Sequence, residues 1–394
     1  MVQKLRKAMT GAECSAEAMR QINPDVVAAY PITPQTPIMH SFSQFVADGA
    51  VETEFITVES EHSAMSACVG ASAAGARAMT ATSSNGLALM WEVVYIASGT
   101  RLPIVMNVVN RALSAPINIH CDHSDSMGCR DSGWIQLYSE NGEEAYENTL
   151  MAVRIAEHPD VLLPVMVCQD GFITSHSVET VEMLDDETVK GFVREHNPVD
   201  PLLDVDHPVT YGPLDLFDYY FEHKKQQMVA MDKSAEIIRQ VFDEFGSITG
   251  KKYDFFEGYM LEDAEKVIVC CNSSAGTIKA AINELREKGE KVGLLKMRVF
   301  RPFNNKQVVE KLKHAKAVAV LERAAGFGSH GSMIFNEIRS AFYEEPQKPG
   351  MINYVYGLGG REFDPAQAKK IYEDLEVVKN GELGELTRTI GVRD

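Results

Sequence analysis

Four nearly continuous apolar runs, at residues 26–29, 78–81, 104–109 and 161–167, alternate with stretches of helical pattern, and this alternation leaves the first half of the chain few folds to choose from. Strands without polar interruption are those buried on both faces. The order strand, helix, strand predicts a mainly parallel sheet covered by helices on each side. Sheets of that kind hold ligands beyond the carboxyl ends of their strands, so the polar residues placed there are the ones to weigh.

Three such places stand out. After the first run the chain reads Tyr30-Pro31-Ile32-Thr33-Pro34-Gln35-Thr36-Pro37. Prolines on both sides of Thr33 fix the backbone and aim its hydroxyl. Before the second run comes Glu59-Ser60-Glu61-His62-Ser63, followed by a helix of small residues over 61–75 that can approach a neighbour closely. Ser60 or Glu61 begins that helix, where the macrodipole favours an acid without any catalysis. A carboxylate facing Ala, Ser and Gly would also be desolvated and able to share a proton with a heterocycle nitrogen. The third run ends in Asn110-Arg111, and Arg111 could clamp a small carboxylate by two parallel hydrogen bonds.

Two further strings invite other chemistry. His120-Cys121-Asp122-His123-Ser124-Asp125 has metal-ligating residue types, but neighbours this dense cannot all converge on one ion. It reads as a polar loop over a substrate pocket, with Asp122 or Asp125 meeting Arg111 and no metal. Gly326-Phe327-Gly328-Ser329-His330-Gly331 fits the dinucleotide pattern G-x-G-x-x-G and raises the alternative of an NAD-dependent dehydrogenase. It follows the third strand of its unit rather than the first, and tight turns with close helix packing account for such glycines as well.

The second half repeats the α/β logic. Residues 170–213 are irregular and acidic; then Ala235, Ile238, Phe242 and Phe245 recur at helical spacing up to Gly246. A linker at 241–261 divides a first domain, 1–240, from a second, 262–394. The second opens with a strand at 267–271, continues with a helix carrying Ala275, Ile278, Ile282 and Leu285 and ending at Gly289, and adds strands at 292–299, 317–321 and 352–356. A length of 394 residues suits about two to three domains.

Charge narrows the partners. Lys and Arg number 38 against 56 Asp and Glu, a formal charge of −18 that repels nucleic acid and anionic lipid. The amino-terminal stretch Met1-Val2-Gln3-Lys4-Leu5-Arg6-Lys7 is too short and polar for a signal peptide, and no apolar run reaches spanning length, which together predict a cytoplasmic protein. Seven cysteines without paired spacing indicate reduced thiols, and no C-x-x-C-x-x-C run is present to ligate an iron–sulfur cluster.

The strings YPITPQTP, ESEHSA, TATSSNGLALM and NRALSAPINIHCDHSD, with GEKVGLLKMRVFRPF and YGLGGREF in the second half, resemble the alpha subunits of the 2-oxoacid:ferredoxin oxidoreductase family. The fourth string is most similar to the pyruvate-specific members. The resemblance runs nearly end to end. It implies a pyrimidine-binding domain of the thiamine-diphosphate-enzyme type with a parallel sheet, followed by a transketolase carboxy-terminal-like α/β domain. By the same resemblance Glu61 would contact the aminopyrimidine nitrogen of thiamine diphosphate, Ile32 would line the coenzyme, and Thr33 and Arg111 would bind the substrate carbonyl and carboxylate. The implied reaction is oxidative decarboxylation of pyruvate, with coenzyme A as co-substrate and ferredoxin as electron acceptor. Neither Gly-Asp-Gly followed by a distant Asn nor a cluster motif occurs here. The diphosphate half of the coenzyme site with its Mg2+, the [4Fe-4S] clusters and the coenzyme A pocket are thus expected on beta, gamma and delta partner subunits. The small side chains at 112–115 suit pyruvate, while 2-oxoisovalerate and 2-oxoglutarate need more room or another cation.

Overall fold

The computed structural model describes residues 4–393; Met1–Gln3 of the amino-terminal stretch read above, and Asp394, lie outside the described residues. The first half carries strands β1 (Lys4–Thr10), β2 (Val26–Ala29), β3 (Glu54–Thr57), β4 (Ala78–Thr82), β5 (Val105–Asn110), β6 (Ile135–Ser139), β7 (Val165–Asp170) and β8 (Val178–Leu184). The second half carries β9 (Phe256–Tyr259), β10 (Lys266–Cys271), β11 (Val292–Met297), β12 (Val299–Arg301), β13 (Ala317–Glu322), β14 (Gly350–Tyr356) and β15 (Thr387–Ile390).

Seven strands form the first sheet in the order β12-β6-β7-β5-β4-β2-β3, parallel throughout except at the β12 edge. Every residue of β4, β5 and β7 is buried, the outcome expected for uninterrupted apolar strands sandwiched between helices. The second sheet runs β15-β14-β13-β10-β11-β9, parallel except for the β9 edge. Its faces separate by the two-residue strand period. Val267, Val269 and Cys271 of β10 join the apolar core continuous with the first half, whereas Ile268 and Cys270 pack with the helices Ser274–Glu287 and Pro365–Lys379 on the other side.

Several elements depart from the sequence expectation. The stretch 170–213 contains β8 and the helix Asp186–Val193, and β8 pairs antiparallel with β1 as a small separate sheet. The helix read from Ala235 begins at Tyr220 and runs through Gly246 to Thr249, ending where Gly250 takes φ +75°. Glycine takes that left-handed cap without the Cβ penalty other residues meet. The run 292–299 is two strands: after Met297 the chain leaves the second sheet, and Val299 pairs with Leu137 of β6. The amide of Tyr138 donates to the carbonyl of Arg298 at 2.7 Å, so the two halves share hydrogen-bonded backbone.

A buried charge network reinforces this seam. Arg298 donates to Glu144 at 2.8 Å, Glu257 at 2.6 Å and Asn148 at 2.8 Å, while Lys296 meets Glu140, Glu144 and Glu257. Burial works against the charge on Glu144, but the two cations beside it hold its carboxyl down at about 2. Removing Arg298 leaves Glu144 and Glu257 short of a partner, so Arg298→Met is expected to destabilise the chain by about 3–5 kcal/mol. A urea midpoint unchanged from wild type would show that the network contributes nothing.

Candidate functional site

In the first sheet β2 is flanked by β3 on one side and β4 on the other, so the direction of winding reverses between β2 and β4. A crevice opens at the carboxyl ends of strands that part in this way. Three segments enter it: residues 30–37 after β2, Ser60-Glu61 after β3, and Ser83-Ser84-Asn85-Gly86 after β4.

Glu61 is the first residue of the helix Glu61–Ala73, and the Ser60 hydroxyl caps that helix by accepting from the Ser63 amide at 3.2 Å. Its side chain is 7% exposed, yet among the described residues it has no hydrogen-bond or ion-pair partner. A carboxylate so placed is costly unless something arrives to complete it. Its fit against the turn after β4 is close: a Cβ added to Gly86 would lie 2.8 Å from both Cγ and Oε1 of Glu61 and 2.6 Å from the Thr82 hydroxyl. Gly86 is therefore glycine because the acid occupies the space a side chain would need. Thr82 Oγ1, Ser83 Oγ and Gln35 Nε2 are buried without protein hydrogen bonds. Buried polar atoms ordinarily have partners, and three unpartnered ones on crevice segments point to a polar ligand.

Arg111 lies at the end of β5 and is likewise 7% exposed. Its guanidinium donates to the carbonyl of Thr33 at 2.9 Å and to that of Asn118 at 3.2 Å, and among the described residues no carboxylate pairs with it. The structure thus joins two sequence-predicted residues, Thr33 and Arg111, through the backbone of one and the side chain of the other. The Thr33 side chain is exposed and makes no hydrogen bond to the described protein. Ile32 uses its amide and carbonyl inside the turn, donating to Gln35 Oε1 at 3.3 Å and accepting from the amides of Gln35 at 2.8 Å and Thr36 at 3.1 Å, and its side chain is half-buried.

The two loop aspartates behave differently from each other. Asp122 turns inward on Ser124, accepting from its amide at 2.9 Å, and does not reach Arg111. Asp125 does meet Arg111, accepting from its backbone amide at 3.0 Å. It also accepts from the Ser84 amide at 2.9 Å, Asn110 Nδ2 at 2.9 Å and the Ser126 amide at 2.7 Å. Burial pushes its carboxyl up to about 6 despite these donors. Asp125 therefore holds the Glu61 side of the crevice, through Ser84, in register with the Arg111 side. Sequence reading missed Thr82, Ser83 and Gln35 as crevice groups. The run Ser83-Ser84-Asn85-Gly86 was the available signal, since glycine after hydroxyl residues at a strand end marks a close approach.

The corresponding crevice of the second sheet, between β10 and β13, is already filled. Asp170, at the end of β7, accepts there from Asn272 Nδ2 at 2.8 Å, from the Ser273 amide at 3.2 Å and from His123 Nε2 at 2.7 Å, with the Arg323 guanidinium 3.4 Å away. Burial opposes its charge, but Arg323, His123 and Ser273 hold its carboxyl well below the usual carboxylate range. Cys121, His123 and Asp170 offer ligand atoms within 4.8 Å of one another. The Asp170 oxygens, however, are taken by these donors, and Arg323 supplies the positive charge an ion would bring. The glycines at 326–331 have their own account: Gly331 at φ +100° lies where a Cβ would strike the Phe335 ring at 2.3 Å, and a Cβ at Gly326 would strike the Gly331 carbonyl at 2.8 Å. Among the described residues no helix is long and apolar enough to cross a membrane, and the seven cysteines are buried and not joined in disulfides.

Comparison with known proteins places this geometry in a family. Residues 17–243 match the family described as pyruvate flavodoxin/ferredoxin oxidoreductase, thiamine diP-binding, and residues 264–368 match pyruvate:ferredoxin oxidoreductase core domain II. The chain is 58% identical to the pyruvate synthase subunit PorA of Thermotoga maritima over 99% of its own length and 98% of the relative's. It is 47% identical to the PorA of Methanocaldococcus jannaschii over 94% and 95% of the two chains, and 42% identical to the ketoisovalerate oxidoreductase subunit VorA of Pyrococcus abyssi over 96% of each. A 2-oxoglutarate:ferredoxin oxidoreductase from Magnetococcus marinus, solved with 2-oxoglutarate, coenzyme A and succinyl-CoA bound, has the same fold. The TM-score is 0.73 at 19% identity, over 94% of this chain and 65% of that one. A split-gene transketolase matches with a TM-score of 0.52 at 12% identity, over 96% and 99%. Both halves are α/β domains like those of thiamine-diphosphate enzymes and transketolase, and the chain belongs to the pyruvate flavodoxin/ferredoxin oxidoreductase family.

Proposed function

We infer that this chain is the alpha subunit of a heteromeric, thiamine-diphosphate-dependent 2-oxoacid:ferredoxin oxidoreductase. Its reaction is the reversible conversion of pyruvate, coenzyme A and oxidised ferredoxin to acetyl-CoA, CO2 and reduced ferredoxin in the cytoplasm. The observation that carries this reading is the pair of buried opposite charges, Glu61 and Arg111, neither with a charged partner among the described residues, on segments that frame one switch-point crevice. The pyruvate-specific relatives, at up to 58% identity, support the substrate. Residues 1–240 would form the pyrimidine-binding domain, 241–261 the linker, and 262–394 the transketolase carboxy-terminal-like domain.

The donor set fits an aminopyrimidine. Glu61 presents a desolvated carboxylate that would hold a proton at a ring nitrogen, and Thr82, Ser83 and Gln35 offer polar atoms with nothing else to bind. Thiamine diphosphate, when bound, supplies the electron sink that cleavage of a carbon–carbon bond beside a carbonyl requires. Arg111, fixed by the Thr33 and Asn118 carbonyls, would take the substrate carboxylate, with the Thr33 hydroxyl beside the 2-oxo oxygen. Ile32 would pack against the ring, and the closeness of Gly86 to Glu61 leaves no room for water between them. Mg2+, the [4Fe-4S] clusters and the coenzyme A pocket belong to beta, gamma and delta subunits, and ferredoxin accepts the electrons.

In the reconstituted complex Glu61→Gln should lower turnover about 10²–10⁴-fold, the range general acid–base groups supply, and wild-type turnover in that variant would end the reading. Gly86→Ala should leave stability within about 1–3 kcal/mol of wild type. It should nevertheless cut turnover about 100-fold by displacing the Glu61 carboxylate. Methyl-viologen reduction with pyruvate, 2-oxoisovalerate and 2-oxoglutarate in parallel tests the substrate; a preference for either of the larger acids overturns pyruvate.

A further inference from the structure

Between Arg194 and the helix Tyr220–Thr249 the chain runs as an arm without helix or strand. Its first part is tied down: the Leu202 amide donates to the Ala73 carbonyl at 2.8 Å, and the Tyr211 hydroxyl to the Asp200 carbonyl at 3.1 Å. Over residues 212–221, where the arm enters the helix and Asp215 pairs with His223, the apolar side chains turn outward. Leu214 is 90% exposed, Phe217 97% and Phe221 70%. Single exposed apolar residues are ordinary, but a run of aromatic and leucine side chains held out in this way marks an interaction site.

Charge says what kind of surface it meets. From residue 195 to 223 there is no Lys or Arg, and beyond Asp204 and Asp215, which pair with His207 and His223, the stretch carries Glu195, Asp200, Asp206, Asp218 and Glu222. An acidic, aromatic segment fits an apolar groove rimmed by cations. A second copy of this chain, at −18 and with its own acidic arm, is a poor match, as is an anionic lipid surface.

Position says which partner. The helix Tyr220–Thr249 packs on the helix Trp91–Gly99, where a Cβ at Gly99 would lie 3.4 Å from Lys224 Nζ. On that helix and the one before it Leu89, Trp91, Tyr95 and Ile96 are also exposed, with Trp91 and Tyr95 rings 5.4 Å apart. The first of these helices, Ser84–Leu89, contains Gly86, against which Glu61 lies. Exposed apolar residues thus occur on each of the elements that lead from Gly86, beside Glu61, to the helix that carries the end of the arm.

We propose that the arm is a clasp, docking through Leu214, Phe217 and Phe221 into a basic-rimmed apolar groove on the subunit that supplies the diphosphate half of the coenzyme site. This rests on the function proposed above and adds the surface by which the two half-sites are held together. The test combines Leu214→Ser, Phe217→Ser and Phe221→Ser in one chain. These side chains have little packing to lose, so the isolated variant should melt as wild type does, while its dissociation constant for the diphosphate-holding subunit rises at least about 30-fold. In parallel, neutralising Asp206, Asp218 and Glu222 to their amides should slow association and flatten its salt dependence, and a photo-crosslinker at Phe217 of the assembled complex should capture that same subunit. Wild-type affinity of the triple variant, or capture of a second copy or of any other subunit, overturns the clasp. Glu61→Gln separates the two readings, because it should lower turnover about 10²–10⁴-fold without changing assembly. Normal assembly of the arm variants alongside an inactive Glu61→Gln complex removes the clasp and leaves the function standing.

Discussion

The Asp170 carboxylate is the fixed point of the molecule. It leaves the first sheet at the end of β7 and enters the crevice of the second, where the Asn272 side chain, the Ser273 backbone and the Arg323 guanidinium surround it. Such a charge is tolerable in a dry seam only because every oxygen is met by a donor. The contact reaches further than the seam. Asp170 also receives His123 Nε2, and the His123 amide donates to the Arg323 carbonyl at 2.7 Å, so the loop bearing both residues is held from two sides. Two residues on, Asp125 uses that anchorage to grip the amides of Ser84 and Arg111. The crevice in the first domain is thus aligned by an interaction made in the second.

The two crevices illustrate opposite uses of one topological feature. Each lies where parallel strands part, and each concentrates backbone donors and helix amino ends. In the second the space is taken by a carboxylate of the chain itself. In the first the chain supplies an acid and a base without allowing them to meet: Glu61 and Arg111 are equally buried and neither has a charged partner. Keeping opposite charges apart in a poorly solvated space costs free energy, which the fold sustains through close packing such as that of Gly86 on Glu61. The stabilisation they forgo is available to a ligand that touches both.

What could be read from the sequence was what depends on short stretches of chain. Ser60 caps the helix that Glu61 opens because a hydroxyl before a small-residue run does so locally, and the buried strands announce themselves by composition. The pairing of β1 with β8 escaped notice because three residues of β8 are exposed and its pattern is weak. Asp170 gave no signal at all: its partner Asn272 is 102 positions away, and no local rule links an acid at one strand end to an amide at another. The sequence likewise places Asp122 or Asp125 against Arg111 without saying which of the two it is or that the contact is made at the backbone amide. A charged side chain announces its type in the sequence but not which of its neighbour's atoms it will address.

Strand β12 has a mechanical consequence. Because Val299 and Arg301 are bonded into the first sheet immediately after Met297 leaves the second, the two halves cannot swing apart like the shells of a bivalve without breaking sheet hydrogen bonds and the salt links beneath them. Opening along this seam would break those bonds, so the approach left to a small molecule is the mouth of the first crevice, at the carboxyl ends of β2 and β4.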